Sequence, residues 1–579
     1  MAEFEGSTSS FDAFEQGFLA ETARLCTIGK GSIGGKAHGL AEIRKVLRSE
    51  LDPAKYPGIK IDIPPLAVVC TDVFDVFMAQ NDLYDVAYSD LPDDQIAHAF
   101  QKAELPFEVL GDLRKLITEM HSPLAVRSSS RLEDTKFKPF AGVYATKMIP
   151  NKEFDPDTRF RQLVEAIKFV YASTYLKTAK DYCKVVGNRI QEEKMAVILQ
   201  RMVGKRYHDR FYPELSGVAR SYNYYPIGPA KPEDKIVNLA LGLGKVIVDG
   251  GISWPYSPAY PKVEPPFGSI KELLKGSQTM FWAVNMGRPV EYDPIRETEY
   301  LLEENLLAAE QDGVLRYLAS TYNPQSGRLT PGIGNPGPRA LTFAPLLVLK
   351  ELPLNELIND LLRICELAYG GAVEIEFAMT LNPHELGFLQ VRSMAVPEKE
   401  VEIMEAEFEG DEVFLASDTA FGNGVLNTIE DIVFIKPDNF ELRHTRAVVA
   451  ELEKFNDALL ASNRPYLLIV FGRLGTADPW LGIPVKFGQI SGAKVIVEAT
   501  KENIKVELSQ GSHFFHNIIN LNIKYFTIPY SSPYQIDWEW LRQQELIDES
   551  RFVCHVRLKE PLRVIVNGQS SKGVIYKHV

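Results

Sequence analysis

The spacing of apolar positions changes several times along the chain, and each change predicts an element. Behind a glycine cluster at Gly29 to Gly39, Leu40, Ile43, Val46 and Leu47 recur at helical spacing and predict an amphipathic helix. Residues 159–185 hold the same period through Leu163, Ile167 and Val170, which predicts one long helix. Short apolar stretches at Ala196 to Met202, Gly217 to Tyr222 and Ile236 to Leu241 predict strands. Residues 321–345 are rich in Pro and Gly and predict a mobile connection.

A two-residue alternation then marks AVEIEFAMTLNPHELGFLQVRS as a hairpin, with strands near 372–379 and 386–394. Successive side chains of a strand face opposite sides, so Glu374 and Glu376 share one face and Val373, Ile375 and Phe377 the other. On the returning strand Gln390 and Arg392 share a face, opposed by Leu389 and Val391. Pairing the apolar faces gathers two carboxylates, a carboxamide and a guanidinium on one surface. The acidic stretch Glu398 to Glu412 reads as a linker. The expected division is a polar segment 1–24, a mixed α and β part 25–397, a linker 398–412 and a smaller α/β domain 413–579.

A chain of 579 residues is too long for one core. Its 45% hydrophobic and 24% charged residues are those of a globular protein. The net charge of -14 argues against general nucleic-acid binding, and an anionic ligand needs its own positive pocket. No apolar run approaches the roughly 18–20 residues of a membrane helix. The start, MAEFEGSTSS, lacks the basic and apolar segments of a signal peptide. Cys26, Cys70, Cys183, Cys365 and Cys554 are scattered without a CxxC pair, which fits reduced thiols in a cytoplasm and gives no zinc signal.

Four segments carry candidate chemistry. The face of Glu374, Glu376, Gln390 and Arg392 offers hard oxygens for Mg²⁺ and a bidentate grip for phosphate, or else a solvated set of cross-strand salt pairs. In SPLAVRSSSRLEDTKFKPFAG a strand from Pro123 to Val126 ends at Arg127 and three serines, a phosphate grip or an ordinary Ser-rich loop. In GKGSIGGKAHGL, glycines before a helix leave room for phosphate near backbone N–H groups and Lys36 adds charge; a tight turn is the alternative. It is not a Walker A loop. Met195 to Val203 is a buried-strand pattern interrupted by Gln200, suited to an adenine pocket or simply to a core.

The order of these segments resembles a known family. GGK, then VRSS with ED and FAG, EAIKFVYASTY, VILQRMV, SGVA, LGLG, EIE and LQVR occur in sequence. This resembles the N-terminal ATP-binding domain of pyruvate phosphate dikinase and phosphoenolpyruvate synthase, also found in rifampicin phosphotransferase, over about residues 25–395. The resemblance implies an α/β fold of ATP-grasp type, with ATP and Mg²⁺ between two lobes, and an ATP-dependent phosphotransferase. It implies that Lys36 and Arg127 contact the ATP phosphates and that Gln200, Met202 and Val203 border the adenine. It places Glu374 near the nucleotide, Glu376 and Gln390 on Mg²⁺, and Arg392 on the transferring phosphate. There are departures: GLGE is GLGK at Lys245, GVxFT is GVARS with Arg220 for an aromatic, QxRP ends at Ser393, and the hairpin turn reads slightly long. The two extra cations suit added phosphate or an ATP-binding module without turnover.

The relatives commonly pass phosphate through a histidine in a pattern like GGxxSHAAIxARExGIP. Here SQGSHFFHNIINLNIKYFTIP aligns Ser512-His513 with it but lacks the alanines and arginine. His513 is thus a candidate phospho-acceptor in a diverged phosphohistidine-type domain, His516 the alternative, and structural histidines a third possibility. The upstream loop Gly472 to Lys486, with Arg473, Thr476, Asp478 and Trp480, resembles a ligand-binding loop or a packed structural one. The chain has no room for the roughly 250-residue barrel of the dikinases. Phosphoenolpyruvate synthesis by this chain alone is therefore not expected. The expected partners are ATP, an unidentified phosphate acceptor, and a partner protein or second copy; a place within a larger multidomain protein is the further alternative.

Overall fold

A computed structural model describes residues 12–13 and 25–578, apart from 131–132, 134–141, 225, 227, 266, 268, 395, 397–402, 477–481, 502–512 and 569. The chain divides into two compact units: Met1–Ser221 with Ile227–Ile247 and Ile252–Met394, and Tyr222–Pro226 with Val248–Gly251 and Ala395–Val579. Among the described residues no helix is long and apolar enough to cross a membrane, and all five cysteines are buried thiols.

The first unit holds two six-stranded sheets. One runs in the order Asp12–Ala13, Leu25–Ile28, Leu66–Val69, Met195–Arg201, Leu124–Ser130, Thr146–Ile149. The other runs Trp254–Tyr256, Ile236–Ala240, Leu215–Arg220, Val373–Leu381, His384–Ser393, Lys60–Asp62. The helix Gly34–Glu50 buries Leu40, Ile43 and Leu47, the stripe its spacing predicts. They join one apolar core with Ile198 of the first sheet and Ile375 and Val391 of the second. That shared core fixes the two sheets against each other, and so fixes the side chains that meet between them.

Two expectations fail in this unit. The helical period at 159–185 spans two helices, Pro156–Ser173 and Lys177–Val186. Between them Thr174 and Tyr175 donate to carbonyls three residues back, a tighter turn that rolls Tyr175 into a cluster with Phe74, Tyr88 and Phe100. The Pro- and Gly-rich stretch is not a plain connection. It forms an antiparallel meander of Ala319–Asn323, Arg328–Pro331 and Arg339–Leu341, with Pro324, Gly327, Gly332, Gly334, Pro336, Gly337 and Pro338 in the two connections. Gly337 is required there, because a Cβ would lie 2.1 Å from the Tyr322 carbonyl oxygen.

The second unit is built on a mixed nine-stranded sheet. Asn423–Ile435, Tyr466–Phe471, Ala493–Ala499 and Lys524–Ile528 pair in parallel, and Val553–Asn567 runs antiparallel to the first of them. The helix Thr445–Ala461 crosses between the first two parallel strands. Part of the acidic stretch is folded rather than a plain tether: Ile403 and Phe408 are buried with Ala416, Ile565 and Val574.

Candidate functional site

The hairpin has a two-residue turn, Asn382 and Pro383, between Val373–Leu381 and His384–Ser393, so the turn is short rather than long. The extra residue lies in a bulge. Glu376 pairs with Gln390 and Phe377 with Phe388, which leaves Leu389 opposite no residue. The bulge also flips the alternation, so Phe388 joins the Phe377 face and Leu389 is not a core position.

The polar face forms as its alternation predicts, in two rows across three strands. Arg220 stands opposite Glu374, and Glu374 opposite Arg392. In the next row Val218 stands opposite Glu376, and Glu376 opposite Gln390. Glu374 accepts from Arg220 Nε at 2.5 Å and from Arg392 Nε at 2.7 Å, with a further bond from Arg392 Nη2. The Glu374 side chain is 0% exposed and that of Glu376 16%. Arg392 Nη2 also lies 3.4 Å from Glu376 Oε1.

Arg127 does not end its strand. Leu124–Ser130 continues through the three serines, which pair with Met195, Ala196 and Val197. From mid-strand Arg127 reaches the hairpin on the other sheet. Its Nη2 donates to Gln390 Oε1 at 2.6 Å, and its Nη1 to the Leu389 carbonyl at 2.9 Å and Gln200 Oε1 at 3.0 Å. The carbonyl of the bulged residue thus finds its partner in Arg127, whose Nη2 also lies 3.9 Å from Glu376 Oε2.

The glycine-rich loop is occupied by protein. The amides of Lys30 and Gly31 donate to the Asp72 carboxylate at 2.8 and 2.9 Å, and that of Ser32 to Thr71 Oγ1 at 3.0 Å. These three N–H groups are already satisfied, which favours the tight-turn alternative. The later glycines allow close packing: a Cβ on Gly34 or Gly35 would lie 1.7 Å from Ser129 O or 1.8 Å from Glu133 O. That contact sets Lys36 at 2.6 Å from Glu133 Oε1 and 3.1 Å from Ser128 Oγ.

Sequence reasoning gave Glu133 no role. It is fully buried, and it exchanges bonds with Ser130: its amide donates to Ser130 Oγ at 3.2 Å and its Oε2 accepts from the Ser130 amide at 2.9 Å. The Ser-x-x-Glu spacing of a capping box was the signal that could have found it. Around the remaining positions, Gln200 is buried beneath Arg127, and its Nε2 makes no hydrogen bond among the described residues. Met202 packs with Phe211, Leu243, Val284 and Met286, and Val203 lies against Gly387.

In the second unit His513 opens the helix His513–Asn520 and is partly exposed. Phe514, its neighbour, packs on Gly475 and stands 6.2 Å from Phe487, so the helix and the Gly472–Lys486 loop adjoin. Arg473 is buried there, and Thr476 donates to the Gly250 carbonyl at 3.3 Å. Lys486 is exposed. Asp478, Trp480, Ser512 and the side chain of His516 lie outside the described residues.

Over residues 30–411 of 579, the sequence matches the family described as pyruvate phosphate dikinase, AMP/ATP-binding domain. The chain belongs to that family. It is 26% identical over 195 residues to the uncharacterized phosphotransferase YvkC of Bacillus subtilis (strain 168), across 33% of this chain and 21% of that protein. It is 26% identical over 243 residues to a phosphoenolpyruvate synthase of Aeropyrum pernix, across 38% of this chain and 26% of that protein. The matched stretches thus span about a quarter or less of these relatives.

As a member of the dikinase nucleotide-binding family, the first unit has an ATP-grasp-like α/β fold. The two cationic departures from the family pattern, Lys245 and Arg220, are engaged by carboxylates in this chain. Lys245 Nζ lies 3.6 Å from Glu297 Oε1, and Arg220 holds Glu374.

Proposed function

We propose that the first unit binds ATP with Mg²⁺ and that the chain is an ATP-dependent phosphotransferase. The observation that carries this is the meeting of Arg127 with the Glu376–Gln390 row from an opposing sheet, at 2.6 Å from Gln390 Oε1. The donor set fits the ligands. Glu376 is partly exposed and stands directly opposite Gln390, so a carboxylate and a side-chain amide oxygen lie side by side, the kind of donors a hard cation takes. Mg²⁺, when bound, neutralises phosphate charge and helps orient the phosphoryl group.

In this proposal Lys36 and Arg127 bind the ATP phosphates, and Glu133 and Gln200 hold those two cations in place. Glu376 and Gln390 ligate the metal, and the Arg392 guanidinium meets the transferring phosphoryl group. The segment Gln200, Met202 and Val203 borders the adenine with backbone groups, since both apolar side chains are buried. Such a site works by positioning and charge neutralisation, which is what phosphoryl transfer asks of a protein. Phosphate passes to an unidentified acceptor, either directly or through His513 of the second unit, and the protein acts in the cytoplasm.

Incubating the full chain with β- and γ-labelled ATP tests this. The expected result is acid-labile, base-stable label that is absent from His513→Asn, or acceptor-dependent loss of γ-phosphate. ATP binding with neither label nor hydrolysis would contradict transfer. It would favour a non-catalytic ATP-binding module, a second reading suggested by Lys245 in the GLGK loop and its pairing with Glu297.

A further inference from the structure

The row Arg220–Glu374–Arg392 has a property that the metal-binding row does not share. Glu374 is a fully buried carboxylate whose two oxygens are used by different arginines. Oε2 accepts from Arg220 Nε at 2.5 Å, and Oε1 accepts from Arg392 Nε at 2.7 Å and from its Nη2. All three residues stand directly opposite one another on adjacent strands, so backbone register as well as charge holds the arrangement. Both arginine side chains are 2% exposed.

Two buried guanidinium groups around one carboxylate carry net positive charge. Glu376, 3.4 Å from Arg392 Nη2, is the next acid of the face. A cation that took Glu374 as a ligand would have to displace an arginine from a fully buried carboxylate and break up a buried ion pair, which is strongly unfavourable. Glu376 presents no such obstacle, since its side chain is 16% exposed.

We propose that Glu374 is a positioning residue rather than a metal or nucleotide ligand, and that Arg220 is its fixed counter-charge, the pair holding the Arg392 guanidinium in one orientation. The metal site of this chain then has a single carboxylate, Glu376. This deepens the proposed phosphotransferase function and rests on it for the role of Arg392, while the clamp itself rests on geometry alone. A guanidinium anchored at Nε and Nη2 cannot swing on its long side chain, so the clamp lowers the cost of meeting a phosphoryl group in the transition state. Losing it affects turnover more than ground-state binding.

Two measurements on the full chain decide it. The first is ATP turnover against Mg²⁺ and ATP concentration for Glu374→Gln, Arg220→Met and Arg220→Lys. The expected result for Glu374→Gln and Arg220→Met is a fall in kcat of about tenfold or more, with KM and half-saturating Mg²⁺ within about twofold of the parent. Arg220→Lys should recover part of what Arg220→Met loses. A rise of about tenfold in half-saturating Mg²⁺ for Glu374→Gln would make Glu374 a ligand and overturn the proposal. The second measurement needs no activity. In thermal unfolding, Arg220→Met combined with Glu374→Gln should lower Tm by clearly less than the sum of the two single shifts, because Arg220→Met removes the buried guanidinium that Glu374→Gln deprives of its carboxylate. Additive shifts overturn the clamp. Absence of ATP turnover in the parent would count against the phosphotransferase function alone, and the unfolding cycle would still decide the clamp.

Discussion

Arg127 donates to the Gln390 side-chain oxygen across 2.6 Å, from one six-stranded sheet of the first unit to the other. It also takes up the carbonyl of the bulged Leu389, so a single side chain ties the irregular point of the hairpin to the opposing sheet. Arg127→Met therefore removes three hydrogen bonds made by a cation and leaves their acceptors behind. The expected cost is about 1–3 kcal/mol of stability for each acceptor left buried without a donor. ATP affinity should fall by about tenfold or more, the loss of one charge-assisted phosphate contact. Chemical denaturation and ATP titration check the two effects separately.

Gly35 should not tolerate a side chain. Its Cβ would lie 1.8 Å from the Glu133 backbone carbonyl, which cannot rotate away as a side chain could. Gly35→Ala is expected to cost about 1–3 kcal/mol by overpacking and to displace Lys36 from Glu133 and Ser128. The measurement is a melting curve beside an ATP titration. Loss of stability with unchanged ATP affinity would separate Lys36 from the nucleotide.

A pH effect is expected in the second unit. Burial is the main cause that raises the Glu498 carboxyl to about 7 from a model-compound value of 4.5, against hydrogen bonds from Tyr525 and the Leu474 amide and the charge of Arg473, which lower it. The folded chain thus keeps a proton that the unfolded chain loses between those two values, so stability falls as pH rises through that window. The contribution is fully present below the unfolded value and gone above about 7. Its size is on the order of 3 kcal/mol. Melting curves at pH 5 and 8 should show a smaller difference for Glu498→Gln than for the parent chain. An equal difference in both would mean that this carboxyl does not titrate in the window.

Much of the hairpin was legible because strand alternation is a local rule. It put Glu374, Glu376, Gln390 and Arg392 on one face, and the register pairs them directly. The rule could not show the bulge at Leu389, because one unpaired residue alters the phase without altering composition. Nor could it show that Arg127 bridges to that bulge, since the two meet only through the packing of two sheets. The glycine run misled in the other direction. Its composition suits a phosphate loop, but Asp72 and Thr71, 39 to 42 residues away, already satisfy its amides. At 159–185 the helical period was real on both sides of a break caused by the burial of Tyr175, and periodicity does not register a turn that keeps the apolar phase. Glu133 had a local signature in its spacing from Ser130, and only the pairing with Lys36 required the fold.

The most direct test is calorimetric titration of the full chain with ATP, with and without Mg²⁺, comparing the parent with Glu376→Gln. The expected result is binding that Mg²⁺ strengthens by about tenfold or more in the parent and hardly at all in the variant, with melting temperatures alike. Equal strengthening by Mg²⁺ in both proteins, or no binding of ATP to the parent, would contradict the assignment of this face as the metal–nucleotide site.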